Sequence, residues 1–211
     1  MSQETHVHRH HNESMLSVEE AMTRILKQFQ LLEPEEKPLL DALGQVLSEE
    51  VISPYNIPPM DNSAMDGYAI QANNVLGASK TTPTSLRVIG SLSAGELPRH
   101  EVTSGTAVRI MTGAPIPKGA DAVVPFEDTD ESARLKPGQD MSSIGIHIAV
   151  SKGAEIRPKG QDIQQGQLVL KKGITLRPPE IGVLASLGLS TVKVIRRPVV
   201  AILATGNELW E

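Results

Sequence analysis

Three polar clusters carry the residue types in this chain that can do chemistry. The first is Asp61-Asn62-Ser63, followed closely by Asp66-Gly67. Two carboxylates, an amide and a hydroxyl crowd into a turn stiffened by Pro54, Pro58 and Pro59, since proline fixes φ and biases the residue before it toward extended backbone. Short Asp, Asn and Ser side chains bond nearby amides in turns, and Asp66-Gly67 lets the backbone reverse before Tyr68-Ala69-Ile70 begins a strand. For an arbitrary cluster of this kind the ordinary meaning is a satisfied surface turn. The second cluster, Thr112-Gly113-Ala114-Pro115, is expected to offer backbone amides and a hydroxyl to an oxyanion, although most Thr-Gly turns only turn the chain. The third, Arg157-Pro158-Lys159-Gly160 before Asp162, suits an anionic phosphate and a salt-bridged hinge equally well.

The elements that position these clusters differ along the chain. Residues 1–15 include His6, His8, His10 and His11 among polar neighbours and read as a disordered tail, not a metal site, because nothing nearby would orient the imidazoles. Ser17-Val-Glu-Glu20 is a capping box with Leu16 placed as a staple, and Val18, Met22, Ile25, Phe29 and Leu32 then recur at helical spacing up to Pro34. A shorter helix is expected through Leu39, Leu40 and Leu43, stopping near Gly44, with an extended segment from Val46 to Ile52. From Tyr68 to Val150, short apolar runs broken by Gly, Pro and Ser predict a β-rich unit, a small barrel among the options. Glu127, Asp128, Asp130 and Glu131 read there as a solvated acidic loop. Pro178 and Pro179 open a helix that Gly188 ends, and Thr191 to Ile195 follows as a strand. The apolar run Val199 to Leu203 predicts a strand buried on both faces, as in a parallel α/β sheet. One such strand cannot make that sheet, so a truncated α/β unit is expected.

A chain of 211 residues fits one or two domains. The absence of cysteine excludes disulfides and thiolate sites and accords with a cytoplasmic protein. No apolar run reaches the roughly 18 residues needed to span a bilayer, and no leader pattern opens the chain. A net charge of -5 and only 2% aromatic residues argue against a nucleic-acid surface.

The stretch Pro59-Met-Asp61-Asn62-Ser63-Ala-Met-Asp66-Gly67-Tyr68-Ala resembles the signature of the molybdopterin molybdenumtransferase family, the bacterial MoeA proteins and the gephyrin E domain. Three further blocks agree in order: Arg109-Ile-Met-Thr-Gly-Ala-Pro-Ile-Pro-Lys-Gly-Ala-Asp-Ala-Val-Val124, Ile156-Arg-Pro-Lys-Gly-Gln-Asp-Ile163 and Leu203-Ala-Thr-Gly-Asn-Glu-Leu209. The resemblance implies an α+β multi-domain fold. In it, residues 16–60 and 150–195 make a discontinuous elongated dimerisation domain, 61–149 an inserted barrel-like β domain, and 196–211 the start of a truncated α/β molybdopterin-binding domain. It implies molybdenum insertion from molybdate into adenylated molybdopterin with release of AMP and the aid of Mg2+, by a homodimer that can meet a molybdopterin adenylyltransferase. A chain of this length is expected to be inactive alone. Catalytic roles carry over to Asp66, Thr112, Asp162 and Glu208, and substrate-binding roles to Asp61, Asn62, Ser63, Gly113, Arg157 and Lys159; which residues would hold a metal is left open. Asn207 stands where the family usually has Asp, which removes a carboxylate. The competing reading is a non-catalytic dimerisation or scaffold module of the same lineage.

Overall fold

A computed structural model describes residues 15–134 and 141–203. The histidine-rich tail and the segment holding Asn207 and Glu208 lie outside them.

Helix α1 (Val18–Leu26) starts where its capping box predicts: the Ser17 hydroxyl accepts from the Glu20 amide at 3.1 Å, and the Glu20 carboxylate accepts from the Ser17 amide at 3.3 Å. It ends well before Pro34, and none of its residues is buried. A helix with nothing beneath its apolar face has only its local propensity to extend it, and short helices are marginal on that alone. Pro34 then begins a strand, β1 (Pro34–Pro38), instead of merely ending a helix. Two prolines are tolerated there because β1 lies at the edge of its sheet. The expected second helix is a single tight turn, Leu39–Ala42, followed by Gly44 at φ 79°, a left-handed conformation that favours glycine. Next come β2 (Val46–Leu47), β3 (Val51–Ile52), β4 (Asn62–Ser63), β5 (Gly67–Ile70), β6 (Thr84–Leu92), β7 (Thr106–Ile110) and β8 (Ala122–Pro125). A one-turn helix α2 (Glu131–Arg134), β9 (Ser143–Ile146), β10 (Ile156–Arg157), β11 (Leu168–Leu170), α3 (Pro178–Ser186) and β12 (Thr191–Ile195) complete the order.

The outgoing and returning halves of the chain zip together in reverse. β1 and β2 flank β12, β3 pairs with β11, and β4 pairs with β10, all antiparallel. One core serves this ladder, with Leu39, Leu47, Leu176, Leu184 and Val194 at its centre. Between the halves, five strands form a mixed sheet in the order β8-β5-β7-β6-β9, in which only β6 and β7 run parallel. Successive residues of β5, β7 and β8 alternate between two cores. Tyr68, Ile70, Ala107 and Val124 join one, and Ala69, Val108, Ile110 and Val123 the other. Covering both faces removes large apolar side chains from water at about 1.5–3 kcal/mol each, which makes this sheet the rigid frame for the loops between its strands.

Two further expectations fail. Val199 to Leu203 forms no strand and is largely exposed, because no described strand lies alongside to pair with it. Nor is all of the 127–131 cluster solvated: Glu131 is buried and Asp130 accepts the Gly145 amide at 2.8 Å, since α2 folds back onto the sheet. No helix among the described residues is long and apolar enough to cross a membrane.

Candidate functional site

The Asp-Asn-Ser turn and the Thr-Gly loop are bound to each other through their backbones. The Ser63 amide donates to the Ala114 carbonyl, and the Gly113 amide donates to the Ser63 carbonyl, both at 2.9 Å. Gly113 sits at φ 81°, which lets the loop double back after β7. Ser63 is fully buried, and its hydroxyl donates to the Met65 carbonyl at 2.6 Å, so it holds the turn and faces no ligand.

Asp66 reaches across from the turn to the loop. Its Oδ1 accepts from both the Thr112 amide and the Thr112 hydroxyl, each at 2.7 Å. The Thr112 amide first, and then the hydroxyl, hold the Asp66 carboxyl below the usual carboxylate range against the opposing effect of burial. This geometry corrects the oxyanion expectation. The Thr112, Gly113 and Ala114 amides are committed to Asp66, Ser63 and Met111 respectively, so the loop has no amide left to give an anion. What Asp66 and Thr112 present outward is acceptor capacity: Asp66 Oδ2, which has no partner among the described residues, and the Thr112 hydroxyl lone pairs. Such a pair suits a hydrogen-bond donor or a cation.

The third cluster docks on the same turn. Asp61 Oδ1 accepts the Lys159 amide at 2.7 Å, and Asn62 and Ser63 pair with Arg157 and Ile156 across β4 and β10. Arg157 Nη2 donates to both Asp162 oxygens, at 2.8 and 2.7 Å, so between the two readings of this cluster Arg157 takes the salt-bridged one. The Lys159 amino group has no partner among the described residues and is the cation left for an anion. Asn62 Oδ1 is buried without a hydrogen-bond partner there. Asp61, Asn62, Ser63, Asp66, Thr112, Gly113, Arg157, Lys159 and Asp162 thus belong to one bonded set of loops, while Glu208 lies outside the described residues.

The sequence reading missed a cluster behind these loops. β5 and β7 register Tyr68 opposite Arg109, and Arg109 Nε and Nη2 donate to Glu131 Oε1 at 3.2 and 2.9 Å. The Arg109 guanidinium lies 4.4 Å over the Phe126 ring, which meets Tyr68 edge-on at 5.7 Å between centroids. Burial first, and the Glu131 carboxylate next, push the Tyr68 phenol up, so it stays protonated. The Phe126 amide donates to the Asp66 carbonyl at 3.1 Å, tying this cluster to the turn. The available signal was the alternation of β7, which sends Arg109 to the same face as Ala107.

The paired halves, the two-faced sheet and the joined loops define a MoeA-like fold. A crystal structure of the molybdopterin biosynthesis moeA protein from Pyrococcus horikoshii superposes with a TM-score of 0.77 at 34% identity, over 88% of this chain and 47% of that one. Residues 16–188 match the model of the MoeA N-terminal region (domain I and II), and the chain belongs to that family. A molybdopterin molybdenumtransferase of Staphylococcus epidermidis is 38% identical over 93% of this chain and 45% of its own length. Molybdopterin molybdenumtransferase 2 of Mycobacterium tuberculosis is 37% identical over 92% and 46%. The chain therefore spans about half the length of the curated relatives it matches.

Proposed function

We propose that the chain serves molybdenum insertion from molybdate into adenylated molybdopterin with release of AMP. The observation that carries the reading is the Asp66 to Thr112 contact, which fixes two acceptors of the family motifs at one point on a rigid loop pair. Asp66 and Thr112 accept from donors on the substrate and orient it. Lys159 receives a phosphate, and Asp61, Asn62, Ser63 and Gly113 fix the turn and loop against which it is placed. Arg157 holds Asp162 in place, and Glu208 completes the catalytic set.

Magnesium belongs to this proposal with a restriction. Among the described residues no three His, Cys, Asp or Glu side chains come together, and both Asp162 oxygens are taken by Arg157. These residues do not make a magnesium site by themselves.

Residues 16–60 with 150–195 act as a dimerisation domain, 61–149 as an inserted β domain and 196–211 as the start of an α/β domain, in a cytoplasmic homodimer that meets a molybdopterin adenylyltransferase. The exposed apolar face of α1 supports the dimer. The 211-residue chain is inactive alone, since its relatives are about twice its length. The test is reconstituted insertion. The chain alone should give no turnover, and in a full-length relative-like protein carrying this sequence Asp66→Ala and Thr112→Ala should each lower the rate. Turnover by the chain alone, or an unchanged rate in both variants, would overturn the respective parts. A full-length protein that dimerises but never turns over would favour the scaffold reading.

A further inference from the structure

A cavity of about 640 Å³ opens at the end of β6, on the side of the β sheet that carries the Thr-Gly loop. Leu92, Leu97, Pro98, Val108 and Pro117 give it an apolar wall, and Ser91, Ser93, Glu96, Arg99 and His100 supply its polar groups. It is not isolated. Glu96 and Leu97 also line a slot of about 220 Å³ shared with Met60, Asn62, Gly113 and Pro115. Pro98 and Pro117 also line a recess of about 450 Å³ that reaches Asp61 and Lys159. The three spaces are neighbours that share wall residues, Glu96 and Leu97 between the first and second and Pro98 and Pro117 between the first and third, and together they form one trough.

The charges in the trough are unevenly committed. Glu96 turns its carboxylate onto the Ser93 amide at 2.9 Å, and Lys118 pairs with Glu101 at 3.1 Å. Arg99, His100 and the Lys159 amino group have no hydrogen-bond or ion-pair partner among the described residues, in a chain of net charge -5. His100 is placed by packing: its ring lies over Gly90, where an added Cβ would come within 2.5 Å of it. Sites for small ligands of roughly 300–1,000 Å³ combine an apolar bed with a few convergent polar groups, and an unpaired guanidinium is a fork shaped for phosphate oxygens.

We infer that this trough binds a ligand made of a flat ring and a phosphate, with Leu92, Leu97 and Pro98 under the ring and Arg99 and His100 on the phosphate. The inference deepens the molybdenum-insertion reading by naming the wall that takes the adenylate end of the substrate, and it rests on that reading for the ligand's identity alone.

The probe is adenosine monophosphate, titrated into the isotope-labelled 211-residue chain and followed by amide NMR. Saturable shifts should appear at residues 91–100, and both Arg99→Ala and Arg99→Gln should weaken binding by about tenfold, the loss of one charge-assisted phosphate contact. Adenosine without its phosphate should bind as weakly as the variants do. Absence of saturable binding overturns the inference, as does equal binding of adenosine. Shifts confined to 61–66 and 112–115, with Asp66→Ala losing the ligand and Arg99→Ala keeping it, also overturn it while leaving the insertion reading in place. Loss of insertion in Asp66→Ala is read separately, so failure of one does not imply failure of the other.

Discussion

Replacing Glu131 with glutamine tests whether the cluster behind the loops holds the fold there. The Glu131 side chain is 3% exposed and gives Oε1 to two Arg109 donors, while Oε2 is buried without a hydrogen-bond partner among the described residues. Removing one partner of a fully buried ion pair costs about 3–5 kcal/mol, because the other charge is left unpaired. Arg109 is 33% exposed and stacks on Phe126, so water and the ring recover part of that loss. Glutamine also keeps the shape and one acceptor. The expected cost is therefore about 1–2 kcal/mol. For a chain of 211 residues this is about 2–8 °C in thermal midpoint. Urea unfolding at pH 7 followed by circular dichroism should show a lower midpoint at an unchanged slope. A cycle with Arg109→Met should return a coupling above about 0.5 kcal/mol, the scatter expected of independent sites. An unchanged midpoint with no coupling would refute the claim that this pair is structural.

Three further outcomes follow from the same geometry. The Arg177 side chain beside Glu180 is the chief cause that lowers the Glu180 carboxyl to about 2, so NMR titration should find it there, and Arg177→Gln should move it back toward 4.5. Because the folded value is the lower one, this contribution to stability is full above 4.5, fades as the pH falls and is gone below about 2. Gly67→Ala would put a Cβ 2.0 Å from the Val124 carbonyl oxygen, where β5 must pass close to β8, and should yield insoluble chain; a soluble variant with native circular dichroism would contradict this packing. Met22→Glu with Ile25→Glu should reduce the dimer fraction seen by light scattering at micromolar concentration, and a native chain near 22.7 kDa would reject the dimer.

Local chemistry made the legible parts legible. The α1 capping box, the α3 start at Pro178 with its end before Gly188 at φ 71°, and the runs that became β7, β8 and β12 depend on neighbours in sequence. The limits were tertiary. Helical spacing continued to Leu32, yet α1 stops at Leu26 because no core formed by the described residues lies beneath it. Pro34 to Pro38 carries no strand signal and became one by lying against β12. Val199 to Leu203 carries a strong strand signal and has no strand among the described residues to lie against. For the site, the residue types were visible, but the contacts span 46 positions from Asp66 to Thr112 and 98 from Asp61 to Lys159. No spacing rule gives such pairs, and motif resemblance alone grouped them beforehand. Glu131 was misread because its burial depends on where α2 folds, not on its acidic neighbours.

The zipped halves also bear on the entropy of folding. β4 and β10 leave the ladder side by side, so everything between Ser63 and Ile156 enters and exits through one two-strand neck. Until that intervening chain collapses, the two halves of the ladder are the ends of a long flexible tether, and closing it carries an entropy penalty that grows with the logarithm of its length. Once the five-stranded sheet forms, the tether shortens to a neck and the halves meet at high effective concentration. The middle of the sequence therefore acts as the clasp for its outside. Slow formation of that sheet would delay β1, β2 and β12, however favourable their own pairing.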